Sequence, residues 1–262
     1  MSVKSCANSF SGTKRPAADP IFAPAIKKRR RAGVFRSLPL SRTYIQQILD
    51  GQKTVEGRIY KLAVRSICKG DVLHFHMYNP QRQSVICEVV QKKVYRTFQA
   101  MLADVGYQNC IPEAENIEEA LSQYHEIPKY SKKEKEFGVV AFHLRMKIPA
   151  EHRVLIQGSY FDFIKKGKKT VDVRVFYHPY SEISIGDLIL FENEDTHETQ
   201  KVRVLQLQLY ESFEEMLIEE TLAKCLPDTG SIDEGITFYR SFPHYAEREK
   251  LCGVVAFRIK KL

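Results

Sequence analysis

One stretch of this chain occurs twice. Gly51-Gln52-Lys53-Thr54-Val55-Glu56-Gly57-Arg58 and Gly167-Lys168-Lys169-Thr170-Val171-Asp172-Val173-Arg174 both read G-x-K-T-V-[ED]-x-R, 116 residues apart. The correspondence continues through Gly70-Asp71 and Gly186-Asp187, through Cys110-x-Pro112 and Cys225-x-Pro227, and into a closing Gly-Val-Val-Ala-Phe at 138–142 and 253–257. The offset falls to 115 in between, so one residue was lost in a hairpin loop. Over 85 gap-free pairs 29 are identical, about a third, which marks duplication of a whole domain. The chain therefore divides into two copies of one unit, 37–147 and 148–262, each of a size that buries its own core. The connection at about Lys147–Arg153, with Pro149, is too short to let the copies roam.

The net charge of +8 belongs to the leading segment. Residues 1–36 carry nine Lys or Arg and one acid, whereas the remainder carries 31 of each sign. Within that remainder the first copy is +4 and the second −4. A bulk-charge argument for nucleic acid thus fails for the body, and any selectivity must come from a local site. The segment 1–36, rich in Ser, Pro, Ala and Lys/Arg with no helical or strand period, reads as a disordered basic tail. Lys14-Arg15, an eleven-residue spacer with three prolines, and Lys27-Lys28-Arg29-Arg30-Arg31 resemble a bipartite nuclear localisation signal. Such a signal implies a nuclear address and an import receptor as partner. The bland alternative is a phosphate-binding arm. No apolar run is long enough to span a membrane, so no membrane partner is expected.

Each copy alternates between helical and strand periods. Tyr44, Ile45, Ile48 and Leu49 recur at helical spacing over 42–50, with Ser41 or Thr43 as cap and Gly51 as the terminating residue. The second copy repeats this over 159–166, ended by Gly167. From Thr54 and Thr170 the pattern is period two, predicting a strand with Thr54, Glu56 and Arg58 on one face. Strands are predicted at 72–75, 84–90 and 138–142, with counterparts at 188–191, 201–207 and 253–257. Helices are expected from Phe98 and Phe213, the latter capped by Ser212, and around 116–125 and 231–240.

The helix followed by G-x-K-T-V-[ED]-x-R, the Gly-Asp before a strand, and Tyr130…Glu134-Lys135…Gly138 (Tyr245…Glu249-Lys250…Gly253) together resemble the ASCH family of the PUA-like superfamily. The resemblance covers about 38–146 and 153–261. It implies an α+β fold, a small mostly antiparallel β-barrel with flanking helices in each copy. It also implies a cleft at the helix–strand junction that binds RNA or nucleotides. Similar small ASCH proteins of the amidohydrolase type use the motif Lys, a Thr two residues beyond the motif Thr, and a later Glu. Lys53 and Lys169 match the first; Glu56 and Asp172 stand where the Thr would be; no acid occurs at Lys224–Leu226. A hydrolase acting on modified nucleosides or RNA is thus the alternative to a nuclear RNA- or nucleotide-binding protein in transcription coregulation or RNA processing. A protein-interaction adaptor, its acidic second copy facing a basic protein, is a third.

The motif's own chemistry leaves three readings open. Lys53, Thr54, Glu56 and Arg58, like Lys169, Thr170, Asp172 and Arg174, offer cationic donors for phosphate and a carboxylate acceptor for a base. They equally suit a structural ion-pair network, or acid–base catalysis by Lys53 or Lys169. Tyr130 and Tyr245 are candidate stacking platforms with Tyr124 and Tyr239, or core rings with one wet end. His74 and His76 share a strand face, but the second copy has Leu190 and Glu192 there, so no metal site is expected. Cys110 and Cys225 have no matching histidine in both copies and read as small buried residues. No cofactor fingerprint is present.

Overall fold

The computed structural model describes residues 33–77 and 83–262. The basic clusters Lys14-Arg15 and Lys27 to Arg31, and the expected disorder of residues 1–32, lie outside the described residues. The first copy runs β1 (Phe35–Pro39), α1 (Arg42–Leu49), β2 (Val55–Ile59), α2 (Leu62–Arg65), β3 (Val72–His76), β4 (Ser84–Tyr95), α3 (Phe98–Val105), α4 (Tyr107–Cys110), α5 (Ile117–Glu126), α6 (Tyr130–Phe137) and β5 (Val139–Met146). The second runs β6 (Glu151–Ile156), α7 (Gly158–Lys165), β7 (Val171–Val175), β8 (Leu188–Asn193), β9 (Thr199–Tyr210), α8 (Phe213–Glu220), α9 (Leu222–Cys225), α10 (Ile232–Ser241), α11 (Tyr245–Cys252) and β10 (Val254–Lys261). A 3-10 turn at Tyr180–Glu182 stands in the place of α2.

Each copy forms one five-stranded sheet, ordered β1-β3-β4-β5-β2 and β6-β8-β9-β10-β7. Every pairing is antiparallel except the edge pairs β1/β3 and β6/β8, which are parallel. The long strands β4 and β9 each carry a bulge, at Val90 between Val89 and Gln91 and at Leu205 opposite Arg258 and Ile259. Bulges sharpen local twist and help a sheet to curl. The result is a mostly antiparallel half-barrel in each copy, with helices packed on it.

Side chains that define the repeat fix this curl. Asp71 accepts from Val34 N at 2.9 Å and Cys68 N at 3.0 Å, tethering the approach of β1 to the start of β3. Asp187 does the same for the second copy, accepting from Ala150 N and Ser184 N. Glu134 and Glu249, both buried, accept from the first helical N–H of α3 and α8 at Phe98 and Phe213. A carboxylate there satisfies a donor that the helix itself cannot and opposes the positive end of the helix dipole. The expected caps are in place: Ser41 accepts from Tyr44 N and Ser212 from Glu215 N. Gly51 and Gly167 end α1 and α7 at φ +74° and +70°, a conformation that favours glycine.

Two boundaries differ from the sequence reading. Residues 33–36 join the folded body rather than the tail: Val34 O accepts from Val72 N at 3.0 Å, and β1 starts at Phe35. The linker likewise shortens, because β6 begins at Glu151. Both strands are parallel edges paired on one side only, so their sequences carry little apolar alternation to read. The copies also touch. Lys147 Nζ reaches Asp187 Oδ1 at 2.9 Å and Ser184 Oγ at 2.8 Å, Arg203 lies over the Phe35 ring at 5.4 Å, and Val34 bridges Gln206. Among the described residues no helix is long and apolar enough to cross a membrane.

Candidate functional site

In the first copy the motif forms a closed circuit of charge below a cavity. Lys53 is buried and aims Nζ at three acceptors: Val55 O at 3.0 Å, Cys110 O at 2.5 Å and Glu56 Oε2 at 3.1 Å. An ammonium has three protons, so this set uses all of them. The Tyr44 ring lies 4.9 Å from the same nitrogen. Glu56 takes Arg58 Nε on its other oxygen at 2.6 Å. Burial alone would push the Glu56 carboxyl up, but the Lys53 and Arg58 cations outweigh it and hold the group below its ordinary value. Arg58 then extends Nη2 to Pro39 O at 2.7 Å, so it ties β2 to β1 across the two open edges of the half-barrel. Its side chain lines the cavity and is 19% exposed.

The second copy repeats the circuit with one methylene less. Lys169 donates to Val171 O at 2.9 Å and Cys225 O at 2.7 Å, but the shorter Asp172 stands 3.6 Å away. Burial pulls the Lys169 ammonium below its ordinary value despite Asp172. Arg174 binds Asp172 at 3.0 Å and is then covered: it lies over the Tyr180 ring at 5.1 Å, with Tyr180 Oη 3.4 Å from Nη1. The Tyr245 hydroxyl also engages it. Copy one has Val64 in the position of Tyr180, so no ring from that position covers Arg58.

The cavities differ accordingly. That of the first copy has a volume of about 820 Å³ and that of the second about 90 Å³. Ligand sites for small molecules span roughly 300–1,000 Å³, whereas about 90 Å³ admits little more than water. Three exchanges account for the difference. Gly57, Gln123 and Ile127 line the first cavity, and Val173, Phe238 and Phe242 line the second. The Tyr44 hydroxyl donates to Gln123 Oε1 at 3.2 Å, which leaves the Gln123 amide protons to the cavity. The Tyr124 ring also lines it, but its hydroxyl lies beneath the lining, against Gly57 and with the soft Cys110 sulfur as polar neighbour. It is buried without a hydrogen-bond partner, just as the Tyr239 hydroxyl is in the second copy. Burying a hydroxyl in this way is costly unless a ligand or water satisfies it.

Of the residues singled out from sequence, Lys53, Glu56, Arg58 and Tyr130 converge on the first cavity, and Lys169, Asp172, Arg174 and Tyr245 on the second. Thr54 and Thr170 do not. Thr54 points its hydroxyl to Asn109 Oδ1 at 3.2 Å, and the backbone N–H groups of Thr54 and Thr170 donate to Asn109 O in α4 and Lys224 O in α9. The expected common face of Thr54 with Glu56 and Arg58 fails because β2 starts one residue later, at Val55. Tyr124 and Tyr130 sandwich Phe98 at 4.1 and 5.9 Å, and Tyr239 and Tyr245 sandwich Phe213 at 4.8 and 6.1 Å, so each ring spends one face on the core. Cys110 and Cys225 are buried, and desolvation pushes their thiols up to about 11 and about 12. His74 stacks on Phe35, and among the described residues no cluster of three His, Cys, Asp or Glu could hold a metal. Sequence reasoning passed over Tyr44, Gly57 and Gln123. Tyr44 was identifiable from its identity with Tyr160, the other two from their divergence between copies.

Comparison with known proteins places both halves together. A family model described as the ASCH domain matches residues 38–147 and 154–262. Among solved structures, hypothetical protein PH0355 is 38% identical over 43% of this chain and 99% of its own, with a TM-score of 0.39. PF0455 from Pyrococcus furiosus is 39% identical over 43% of this chain and 97% of its own, with a TM-score of 0.37. A serine-to-alanine mutant of ZmASCH from Zymomonas mobilis is 12% identical over 44% of this chain and 70% of its own, with a TM-score of 0.28. None of the curated proteins compared matches this chain.

Proposed function

This chain belongs to the ASCH domain family through both of its halves, and on that premise we propose that it is a nuclear RNA-binding protein whose first copy does the binding. The family's fold supports a general RNA-binding role. The single observation that carries the assignment to copy one is the contrast of about 820 Å³ against about 90 Å³ at equivalent places. The larger cavity takes a nucleotide unit that the smaller one has no room for.

Its chemistry suits an unstacked nucleotide. Arg58 presents its guanidinium to a phosphate or a base edge. The Gln123 amide supplies directional hydrogen bonds, and Tyr44, Leu40, Ile111 and Ile127 give apolar walls. Lys53 serves as the strut that holds Glu56 and Arg58 in place, since its three protons are consumed within the protein. The same consumption argues against Lys53 as the amine of a hydrolase, whose companion Thr is replaced by Glu56. The nuclear address rests on the two basic clusters between Lys14 and Arg31.

The test is single-stranded RNA binding by Arg58→Lys and Arg174→Lys proteins. Lysine keeps a counter-charge for the carboxylate but loses the planar fork. Arg58→Lys is expected to weaken binding about tenfold or more, the value of a hydrogen bond to a charged group. Arg174→Lys, behind Tyr180, is expected to leave it within about twofold. Equal losses, or none, refute the assignment.

A further inference from the structure

The first cavity opens between two elements whose charge differs sharply from that of their counterparts. On one side Ser41 lines the cavity and is followed by Arg42, the exposed first residue of α1. On the other, Ile127 and Tyr130 line it and bracket Lys129, with Lys132 and Lys133 one turn further along α6. Lys129 caps α6 in a left-handed conformation, and Lys132 and Lys133 follow on its first turn, so the three cations are neighbours at this end of the helix. Glu134 of the same helix is buried under α3. Arg42, Lys129 and Lys132 are exposed, Lys133 is half-buried, and none of the four forms an ion pair among the described residues.

The second copy has Gly158, His244, Glu247 and Arg248 at these positions, and Glu194 lines its cavity. Four cations thus become one cation, one histidine, one acid and a glycine. His244 and Glu247 stand 3.4 Å apart, and Arg248 covers the Tyr177 ring at 4.4 Å. The cations therefore stand beside residues that line the roomy cavity, and at the closed one three of the four are replaced, Arg248 alone keeping the charge.

We infer that the ligand of the first copy is a continuous single-stranded polynucleotide rather than a free nucleotide, with one nucleotide held in the cavity and the flanking phosphates carried by Arg42 on one side and by Lys129, Lys132 and Lys133 on the other. A chain threading the mouth must place negative charge on both rims, because its phosphates recur on either side of the inserted base. A mononucleotide needs only one rim. This inference rests on the reading of the cavity given above and adds the class and the path of the ligand.

The test compares uridine monophosphate with a five-nucleotide RNA on the full-length chain and on its Arg42→Gln/Lys129→Gln/Lys132→Gln/Lys133→Gln variant, over a range of salt concentrations. Each phosphate neutralised on a single strand adds about 0.7 to the slope of log affinity against log salt. The variant is expected to bind the five-nucleotide RNA with a slope shallower by about 3, the sum for four phosphates. Its affinity for the mononucleotide should stay within about twofold. An unchanged slope, or an equal loss for both ligands, overturns the polynucleotide path. If Arg58→Lys weakens the five-nucleotide RNA while the four-site variant does not, only the path falls and the cavity assignment stands. If neither ligand binds the unaltered chain, both fall.

Discussion

Replacing Gly57 by valine puts the residue of the second copy, Val173, into the strand of the first. A Cβ on Gly57 would stand 2.5 Å from Tyr124 Oη, 2.7 Å from Met101 Cε and 3.0 Å from Tyr124 Cζ. The methionine terminus can swing aside. The tyrosine ring cannot without leaving its 4.1 Å stack on Phe98. In the second copy, where Val173 is present, the Tyr239 ring sits 4.8 Å from Phe213, which shows how far the stack must open. Overpacking of this kind costs about 1–3 kcal/mol, or a melting midpoint lower by roughly 5–20 °C for a domain of this size. Tyr124→Phe removes the atom that is struck. That hydroxyl has no hydrogen-bond partner, so its loss alone is expected to be neutral or stabilising, by up to about 1–3 kcal/mol of relieved desolvation. In the double variant the clash is largely gone, giving a coupling of about 1 kcal/mol in the thermodynamic cycle. Thermal melts of the four proteins measure this. RNA titrations on the same samples give the functional half: Gly57→Val, which narrows the cavity, should bind more weakly by about tenfold or more, whereas Tyr124→Phe, whose hydroxyl lies beneath the cavity wall, should bind within about twofold. A clearly destabilised Tyr124→Phe protein, or an additive cycle, would refute the reasoning.

Glu56→Gln leaves Lys53 and Arg58 buried without their counter-charge and is expected to cost about 3–5 kcal/mol at neutral pH. Because Glu56 is held below its ordinary value of 4.5, its contribution is present above that pH and lost as pH falls below it, so acid melts of the variant should be flatter there. His74, desolvated and facing His76 and Arg203, is pulled down from 6.5 to about 4. The unfolded chain then binds the proton first, so stability declines from pH 6.5 toward 4, and His74→Leu, the residue of the second copy, should reduce that decline; parallel melting curves would exclude it. Deleting residues 1–32 should abolish nuclear accumulation of a tagged chain, whereas a body that still concentrates in nuclei removes the import signal from consideration.

The order of elements was legible because the chain states it twice. A glycine after an apolar helical stripe, seen at 51 and again at 167, marks where α1 and α7 end. The parallel edge strands β1 and β6 were not legible. Phe35–Pro39 has no fully buried residue, and Glu151–Ile156 alternates in burial only through Val154 and Ile156, with the apolar Leu155 exposed between them to blur the period. What fixes both strands is remote: Asp71 and Asp187, some 37 residues away, accept from the backbone ahead of each strand. The charged face of β2 was half legible. Alternation put Glu56 and Arg58 together, but it could not show that Lys53 reaches back to Cys110 O, a contact made across 57 positions.

The same facts explain why identity between the copies says little about ligand binding. Lys53 and Lys169 spend their protons on backbone carbonyls and a carboxylate, Asp71 and Asp187 hold an edge strand, and Glu134 and Glu249 seat a helix. Each would be retained by any copy that still has to fold, whether or not it binds anything. The information about function lies where the copies part: Gly57 against Val173, Gln123 against Phe238, Val64 against Tyr180, and Lys129, Lys132 and Lys133 against His244, Glu247 and Arg248. All of these exchanges but the charge-conserving Lys133 against Arg248 act in the same direction, toward more space, more free donors or more positive charge at the first cavity. Exchanges free of selection for a site would be expected to scatter around the barrel. Their convergence on one mouth is what a retained polyanion site in copy one, and its loss from copy two, would leave behind.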